Sequence, residues 1–186
     1  MSNASQQGTD PQTMDGRWLT VSRTLCFVTY QRDVLLMKRS ATRRIFPGRY
    51  NGLGGHVERG EEPLTCAQRE IREESGIALP LGVLRLHGVS LIDAGQTSGI
   101  TLFIFTAALD SLPAVLHEGA EGSLHWVAID RALDLPLVDD LPILWPRLFP
   151  QGRPYPAAEP LLQFFAHVSY DVADQMQMRF AGEGQP

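Results

Sequence analysis

Five glycines in thirteen residues, Gly48, Gly52, Gly54, Gly55 and Gly60, lead directly into a helix-forming segment that opens at Pro63 and stops at Gly76. No other stretch constrains the fold as tightly. Glycine lets a backbone turn sharply or approach groups that a Cβ would exclude, so the segment reads as a loop pressed close against something else. Proline is tolerated at the first helical position and glycine can take the left-handed conformation that ends a helix, so the spacing predicts a helix over residues 63–75. At about 100° per residue, Leu64, Ala67, Ile71 and Ser75 share one face of it, while Glu70, Glu73 and Glu74 crowd a neighbouring stripe. Like charges at that spacing destabilise a helix unless counter-charge is supplied. Two readings of the stripe stand: a solvated surface neutralised by Arg69 and Arg72, or oxygen ligands for a hard cation such as Mg²⁺ or Mn²⁺.

The rest of the chain alternates between strand and helix patterns. Residues 1–16 are polar and read as a disordered leader. Thr20 to Tyr30 and Asp33 to Arg39 flank a short Gln31-Arg32 connection and read as a strand pair. Val83 to Ile92, Ile100 to Leu109 and Leu124 to Ile129 are further strand candidates, and a second helix is expected from Asp139-Asp140 to about Phe149. Residues 150–160 form a proline-rich linker, after which Leu161 to Asp171 and Gln175 to Phe180 suit either a late helix or strands. The expected organisation is a main domain over 17–150 and a C-terminal extension over 151–186, which packs on the domain or on a second copy in a homodimer. Strands with interleaved helices indicate a mixed α/β or α+β class.

Composition excludes several functions. The chain has 186 residues, 16 Lys+Arg against 21 Asp+Glu, and a formal charge of −5. A net acidic chain is a poor ligand for duplex nucleic acid, whose binding depends on cationic side chains neutralising phosphates. No run approaches the roughly 18 to 20 apolar residues of a membrane span, so a soluble cytoplasmic protein is expected. Cys26 and Cys66 form no CxxC pair and read as inert small hydrophobes. The five histidines (56, 87, 117, 125, 167) lack metal-ligand spacing and read as structural or solvated. Trp18, Trp126 and Trp145 read as core anchors, and Ser90 and Ser98 lie in no Gly-x-Ser-x-Gly elbow. Charge is nonetheless uneven: Lys38, Arg39, Arg43, Arg44 and Arg49 precede an anionic stretch that carries Glu58, Glu61, Glu62, Glu70, Glu73 and Glu74.

Gly55-(x5)-Glu61-(x7)-Arg69-Glu70-Ile71-Arg72-Glu73-Glu74-Ser75-Gly76-Ile77 fills every position of the signature GX5EX7REUXEEXGU, and the chain thereby resembles the Nudix hydrolases. A chance match has odds on the order of 10⁻⁷ from average composition. The resemblance implies an α+β fold of the α/β/α sandwich type, a mixed β-sheet between helices. It implies hydrolysis of a nucleoside diphosphate linkage with Mg²⁺, for which Mn²⁺ can substitute. Carried onto this sequence, Glu70, Glu73 and Glu74 are the metal-binding carboxylates, with a main-chain carbonyl of Gly54 or Gly55 as a further ligand. Arg69 orients Glu70, Glu61 supports the loop-helix junction, and Glu70 or Glu73 accepts the proton of the attacking water. A further carboxylate is expected before a late strand, with Glu121 ahead of Glu118; an exposed loop charge is the alternative for both.

Substrate choice lies outside the signature. Arg49-Tyr50-Asn51-Gly52-Leu53-Gly54-Gly55 resembles a segment of the 8-oxo-dGTP diphosphatase members of the family, which implies that Asn51 contacts a purine. An Asn-Gly turn is the competing reading. Asp139-Asp140 resembles a pair that reads the oxidised base, with helix capping as its alternative. An aromatic residue expected two positions before that pair is Leu137 here. Lys38 and Arg39 are phosphate contacts or a solvated strand end. The expected product pair is a nucleoside monophosphate and pyrophosphate; ADP-ribose, a dinucleoside polyphosphate or a nucleotide sugar is the alternative substrate. From another class, a nucleotide-sensing Nudix-fold module without turnover would share the fold, although every carboxylate of the signature is present.

Overall fold

The computed structural model describes residues 18–93, 98–113, 116, 119, 121–155 and 160–183. Strands β1 (Leu19–Tyr30) and β2 (Asp33–Arg39) form the expected pair, and their alternation builds two cores at once. Leu25, Phe27, Val34 and Leu36 face one side of the sheet, whereas Cys26, Val28, Leu35 and Met37 face the other. A strand buried on both faces belongs to a sheet covered on both sides. Helix α1 (Pro63–Ser75) covers one face through Cys66, Ala67, Ile71 and Ser75. Helix α2 (Leu141–Leu148) covers part of the other through Leu141, Leu144, Trp145 and Leu148. The expected α+β sandwich is thus the fold observed.

The remaining strands are β3 (Tyr50–Asn51), β4 (Arg85–Asp93), β5 (Ser98–Leu109), β6 (Gly122–Ala128), β7 (Phe164–Tyr170) and β8 (Met176–Phe180), in the order β3-β2-β1-β5-β4-β7-β8 with β6 beside β2. Pairing is mixed: β1 runs parallel to β5 over its whole length and β4 parallel to β7, while the other pairs are antiparallel. The tail after residue 160 therefore consists of strands in this same sheet. Gly88 admits this pairing, because a Cβ there would meet the Phe164 ring at 2.6 Å. Among the described residues no helix is long and apolar enough to cross a membrane.

One local divergence organises the molecule. β2 pairs with β6 along its full length, but with β1 only from Val28↔Leu35 to Tyr30↔Asp33. Beyond that point the strands part, and the glycine-rich backbone fills the gap. Leu53 exchanges two backbone hydrogen bonds with Cys26 (2.7 and 3.0 Å), Thr24 N–H donates to the Gly55 carbonyl (2.9 Å) and Val57 N–H to that of Ser22 (3.0 Å). β3 pairs on the other side with Met37 and Lys38. This two-residue strand carries no sequence signal of its own, since its partner imposes it.

The tryptophans divide. Trp145 is a core anchor that packs edge-on with Phe27 at 5.9 Å and donates its indole N–H to the Ile129 carbonyl. Trp18 is 40% exposed and does not anchor the core. Both cysteines are free and buried, and burial raises both thiols, which keeps them protonated.

His87 is fully buried, and neither ring nitrogen has a hydrogen-bond partner among the described residues. It packs against Tyr155 and Phe164. Burial lowers its pKa from 6.5 to about 4, against a weak pull from the Arg147 backbone, whose geometry falls short of a hydrogen bond, and with the charge of Arg85 adding to the shift. The unfolded chain therefore takes up a proton that the folded chain refuses, and stability falls as pH drops from 6.5 toward 4. The expected loss is about 2 to 3 kcal/mol between pH 7 and pH 4.5. Urea midpoints at the two pH values check this: His87→Leu removes that part of the loss, and an equal loss in the variant refutes it.

Candidate active site

Glu62 starts α1 in a cap that accepts the N–H groups of Leu64 (2.7 Å) and Thr65 (2.8 Å), and Gly76 ends it at φ 78°, as its position predicts. These caps set which side chains face the inserted loop. Arg69 is the hub. Its guanidinium donates to both oxygens of Glu61 (2.9 and 3.0 Å), to Glu70 Oε1 (2.8 Å), to Glu73 Oε2 (3.1 Å) and to the His56 carbonyl (3.1 Å). Charge-assisted, bidentate contacts of this kind are the strongest in the polar repertoire. They hold the Glu61 carboxyl well down, at about 2, chiefly through the Arg69 hydrogen bonds. They also supply the counter-charge that the glutamate stripe required.

Glu70 and Glu74 turn toward the glycine-rich loop. A Cβ on Gly55 would lie 2.3 Å from Glu70 Oε1, so the missing side chain is what lets this carboxylate reach the backbone. The Gly54 N–H donates to Glu74 Oε2 at 2.9 Å. Burial raises the carboxyls of both; for Glu74 the value reaches about 8, with Glu70 and Glu121 adding repulsion. Glu73 stands at the outer edge, its side chain 53% exposed. Glu121 lies just before β6 and pairs with Arg43 Nη2 at 2.6 Å, whereas Glu118 lies outside the described residues. Among the described residues no group of three or more His, Cys, Asp or Glu side chains is already clustered closely enough to hold a metal ion. What the structure does show is an oxygen-only set, two members of which resist ionisation. Oxygen-only donors are the kind that hard cations take.

A cavity of about 250 Å³ opens beside this cluster, lined by Glu74 and Gly54 together with Asn51, Asp139 and Asp140. Asn51 accepts the Gly52 N–H with its own side-chain oxygen (2.9 Å), so the turn contact and the cavity position coexist. Arg49 Nη1 binds both the Leu137 carbonyl (2.8 Å) and Asp139 Oδ1 (2.9 Å). The strand backbone adds Tyr50 N–H to Pro136 and Val138 N–H to Tyr50. These bonds carry the aspartates to the cavity. Neither caps α2 by its side chain: Asp140 holds the cap position at helical φ and ψ (−80°, −26°) without a capping bond. Burial foremost, and then Asp139, raises its carboxyl. Leu137 is a core residue, 4% exposed.

Strand alternation separates the two basic candidates. Arg39 lines the cavity and ties Ile45 through its Nε (2.9 Å), while Lys38 is turned away, exposed, with its ammonium 5.7 Å over the Tyr50 ring. Sequence reasoning missed Arg23, a cavity residue whose pKa is lowered by burial first and by Arg39 next, against the pull of Glu70 and Glu121. Its place within a strand pattern offers no local signal. It also missed Val168, Tyr170 and Met176, which β7 and β8 bring from the tail to the cavity wall.

The two adjacent glycines should differ in kind. Gly54 sits at φ +135°, and a Cβ there would lie 2.3 Å from the Thr24 carbonyl oxygen, so alanine forces rigid backbone apart; at Gly55 the obstacle is the movable end of Glu70. Gly54→Ala is expected to lose about 2 to 4 kcal/mol and Gly55→Ala less than about 1 kcal/mol. Urea denaturation compares them, and equal losses refute the assignment.

Residues 19–157 match the family model described as NUDIX domain. The chain is 35% identical over 127 residues to the oxidized purine nucleoside triphosphate hydrolase of Mus musculus, covering 66% of this chain and 71% of the mouse protein. The Danio rerio protein of that name is 30% identical over 151 residues, covering 80% of this chain and 88% of the other. A shorter match, 38% over 74 residues, joins it to the m7GpppN-mRNA hydrolase NUDT17 of Xenopus laevis; it takes in 40% of this chain and only about a quarter (25%) of that protein's length. Among solved structures, a MutT protein from Bacillus halodurans superposes with a TM-score of 0.68 at 25% identity, covering 88% of this chain and 99% of that one. With a family model matched over residues 19–157 and relatives at 30% identity or more over most of their length, the chain belongs to the Nudix family.

Proposed function

We propose that the chain is a Mg²⁺-dependent nucleotide pyrophosphohydrolase that cleaves an oxidised (deoxy)nucleoside triphosphate such as 8-oxo-dGTP to the monophosphate and pyrophosphate. The observation that carries this reading is the continuity of the cavity with the carboxylate cluster: Asn51, Asp139 and Asp140, polar groups suited to a base edge, line the same cavity as Glu74 and Gly54. The likeness to the mouse and zebrafish hydrolases of oxidized purine nucleoside triphosphates supports the choice of substrate. An amide and a carboxyl whose ionisation is opposed by burial both offer a donor and an acceptor to a base edge.

Glu70, Glu73, Glu74 and Glu121 would hold the metal, with the Gly54 carbonyl as a backbone ligand, since that of Gly55 already accepts the Thr24 N–H. When bound, the ion supplies positive charge and Lewis acidity toward the phosphate oxygens. The protein's own residues do the rest. Arg69 orients Glu70 through one contact, and Glu61 holds Arg69 through two. Glu70, half-buried and with its carboxyl raised, is the better placed proton acceptor for the attacking water than the exposed Glu73. Arg39 and Arg23 face the diphosphate and offset its repulsion.

Glu70→Gln is expected to lower kcat by about 10² to 10⁴-fold at an unchanged melting temperature; turnover retained by a folded variant defeats this role. Glu74, at about 8, is protonated at neutral pH without a cation, so metal binding must expel that proton. Mg²⁺ affinity should climb with pH toward 8, by up to about ten-fold per unit, and level off above it. Titration calorimetry at pH 6, 7 and 8.5 measures this, and an affinity flat across that range removes Glu74 from the ligand set. For the substrate, kcat/KM with Mg²⁺ is compared across 8-oxo-dGTP, dGTP, ADP-ribose, a dinucleoside tetraphosphate, a nucleotide sugar and a capped dinucleotide. Preference for 8-oxo-dGTP is expected, and equal or better turnover of another compound replaces it as substrate.

A further inference from the structure

On β7, Phe164, Ala166 and Val168 are 8%, 7% and 1% exposed, yet Tyr170, next on the same face, is 41% exposed where that face leaves the core and enters the cavity wall. Large aromatic rings left half in water at a concave site are unusual for a core strand and common where a flat ligand is gripped. The β7–β8 ladder holds the backbone of Tyr170. This residue pairs directly across the strands with Met176, another cavity residue, and a methionine beside an aromatic ring makes a favourable contact. The turn that follows closes on itself: Asp171 accepts the N–H groups of Ala173 and Gln175 through Oδ1 (both 2.9 Å), and its own N–H donates to the Gln175 carbonyl (3.0 Å). Asp174 completes the turn at φ 58°. The hairpin is thus a fixed part of the site's wall, and β7 pairs with β4, whose Ile92 also lines the cavity.

The apolar part of that wall includes the aliphatic Leu25, Ile100, Leu102 and Val138, and Phe46 and Tyr170 are the aromatic rings among its described residues. Phe46 follows β2, next to Ile45, whose carbonyl binds Arg39. Tyr170 instead senses Asp140 and Asp139, whose charges add to burial in raising its hydroxyl. It lines the same cavity as the two aspartates, within reach of their charge. The buried Leu137 supplies no ring there.

We infer that Tyr170, presented by the β7–β8 hairpin, is the residue that packs against the planar base of the nucleotide beside Asp139 and Asp140. This rests on the nucleotide reading above. The paired hairpin backbone carries the ring to the cavity wall, so the chain there need not be ordered on binding.

Calorimetry without metal, using 8-oxo-dGMP and the base-free ribose 5-phosphate as probes, tests it. The wild-type chain should bind 8-oxo-dGMP more tightly than ribose 5-phosphate. Tyr170→Ala and Tyr170→Leu should weaken 8-oxo-dGMP by about five-fold or more and leave ribose 5-phosphate unchanged, whereas Tyr170→Phe keeps the wild-type affinity. In steady-state hydrolysis the same two variants should raise KM with kcat nearly constant. The leucine variant retains apolar bulk, so its melting temperature separates loss of the ring from loss of the fold. If Tyr170→Leu keeps the full preference for the base, or if Phe46→Ala removes it instead, the inference is overturned while the nucleotide reading stands. A wild-type chain indifferent to the base overturns both.

Discussion

Where β1 and β2 part company, a strip of glycine-rich backbone takes the place of a side-by-side strand pair. The backbone bonds from Leu53 to Cys26 and from Gly55 to Thr24 replace the ladder that the two strands abandon. Everything at the site depends on this substitution. A continuous strand would present side chains at these positions, and Glu70 and Glu74 would have no backbone to approach. Because the strip is bare, the carboxylates of α1 come within contact of it, and the space left beside it becomes the cavity.

The glutamates that meet the strip would repel one another if nothing intervened. Arg69 resolves part of this by binding Glu61, Glu70 and Glu73 at once, and it leaves Glu74 to be satisfied by a single backbone N–H. The result is a graded set: Glu61 firmly ionised, Glu74 reluctant to ionise. The first acts as a brace, and burial keeps the second protonated. Arg23 and Arg39 line the cavity beside this set.

Much of this was legible from local pattern. Pro63 and Gly76 mark the ends of α1 because each acts on its own backbone, and the signature's carboxylates stack because helical spacing stacks them. The central strands were recognisable from apolar, β-branched runs. Other features had no local cause. Lys38 and Arg39 are adjacent and chemically alike, yet strand alternation sends one to the cavity and the other over Tyr50. Asp139 and Asp140 fit a helix start by composition, but Arg49, ninety residues before Asp139, holds Asp139 instead. The tail could be read as helix or strand because its apolar spacing suits both, and pairing with β4 decided for strand.

By itself the sequence determined the family, the loop-helix junction and the identity of the carboxylates, since these follow from spacing along a continuous backbone. Tertiary structure alone decided which basic residues reach the cavity, which wall the tail completes, and how far each carboxyl departs from ordinary ionisation. Those depend on burial and on neighbours from distant strands, quantities that no local spacing encodes.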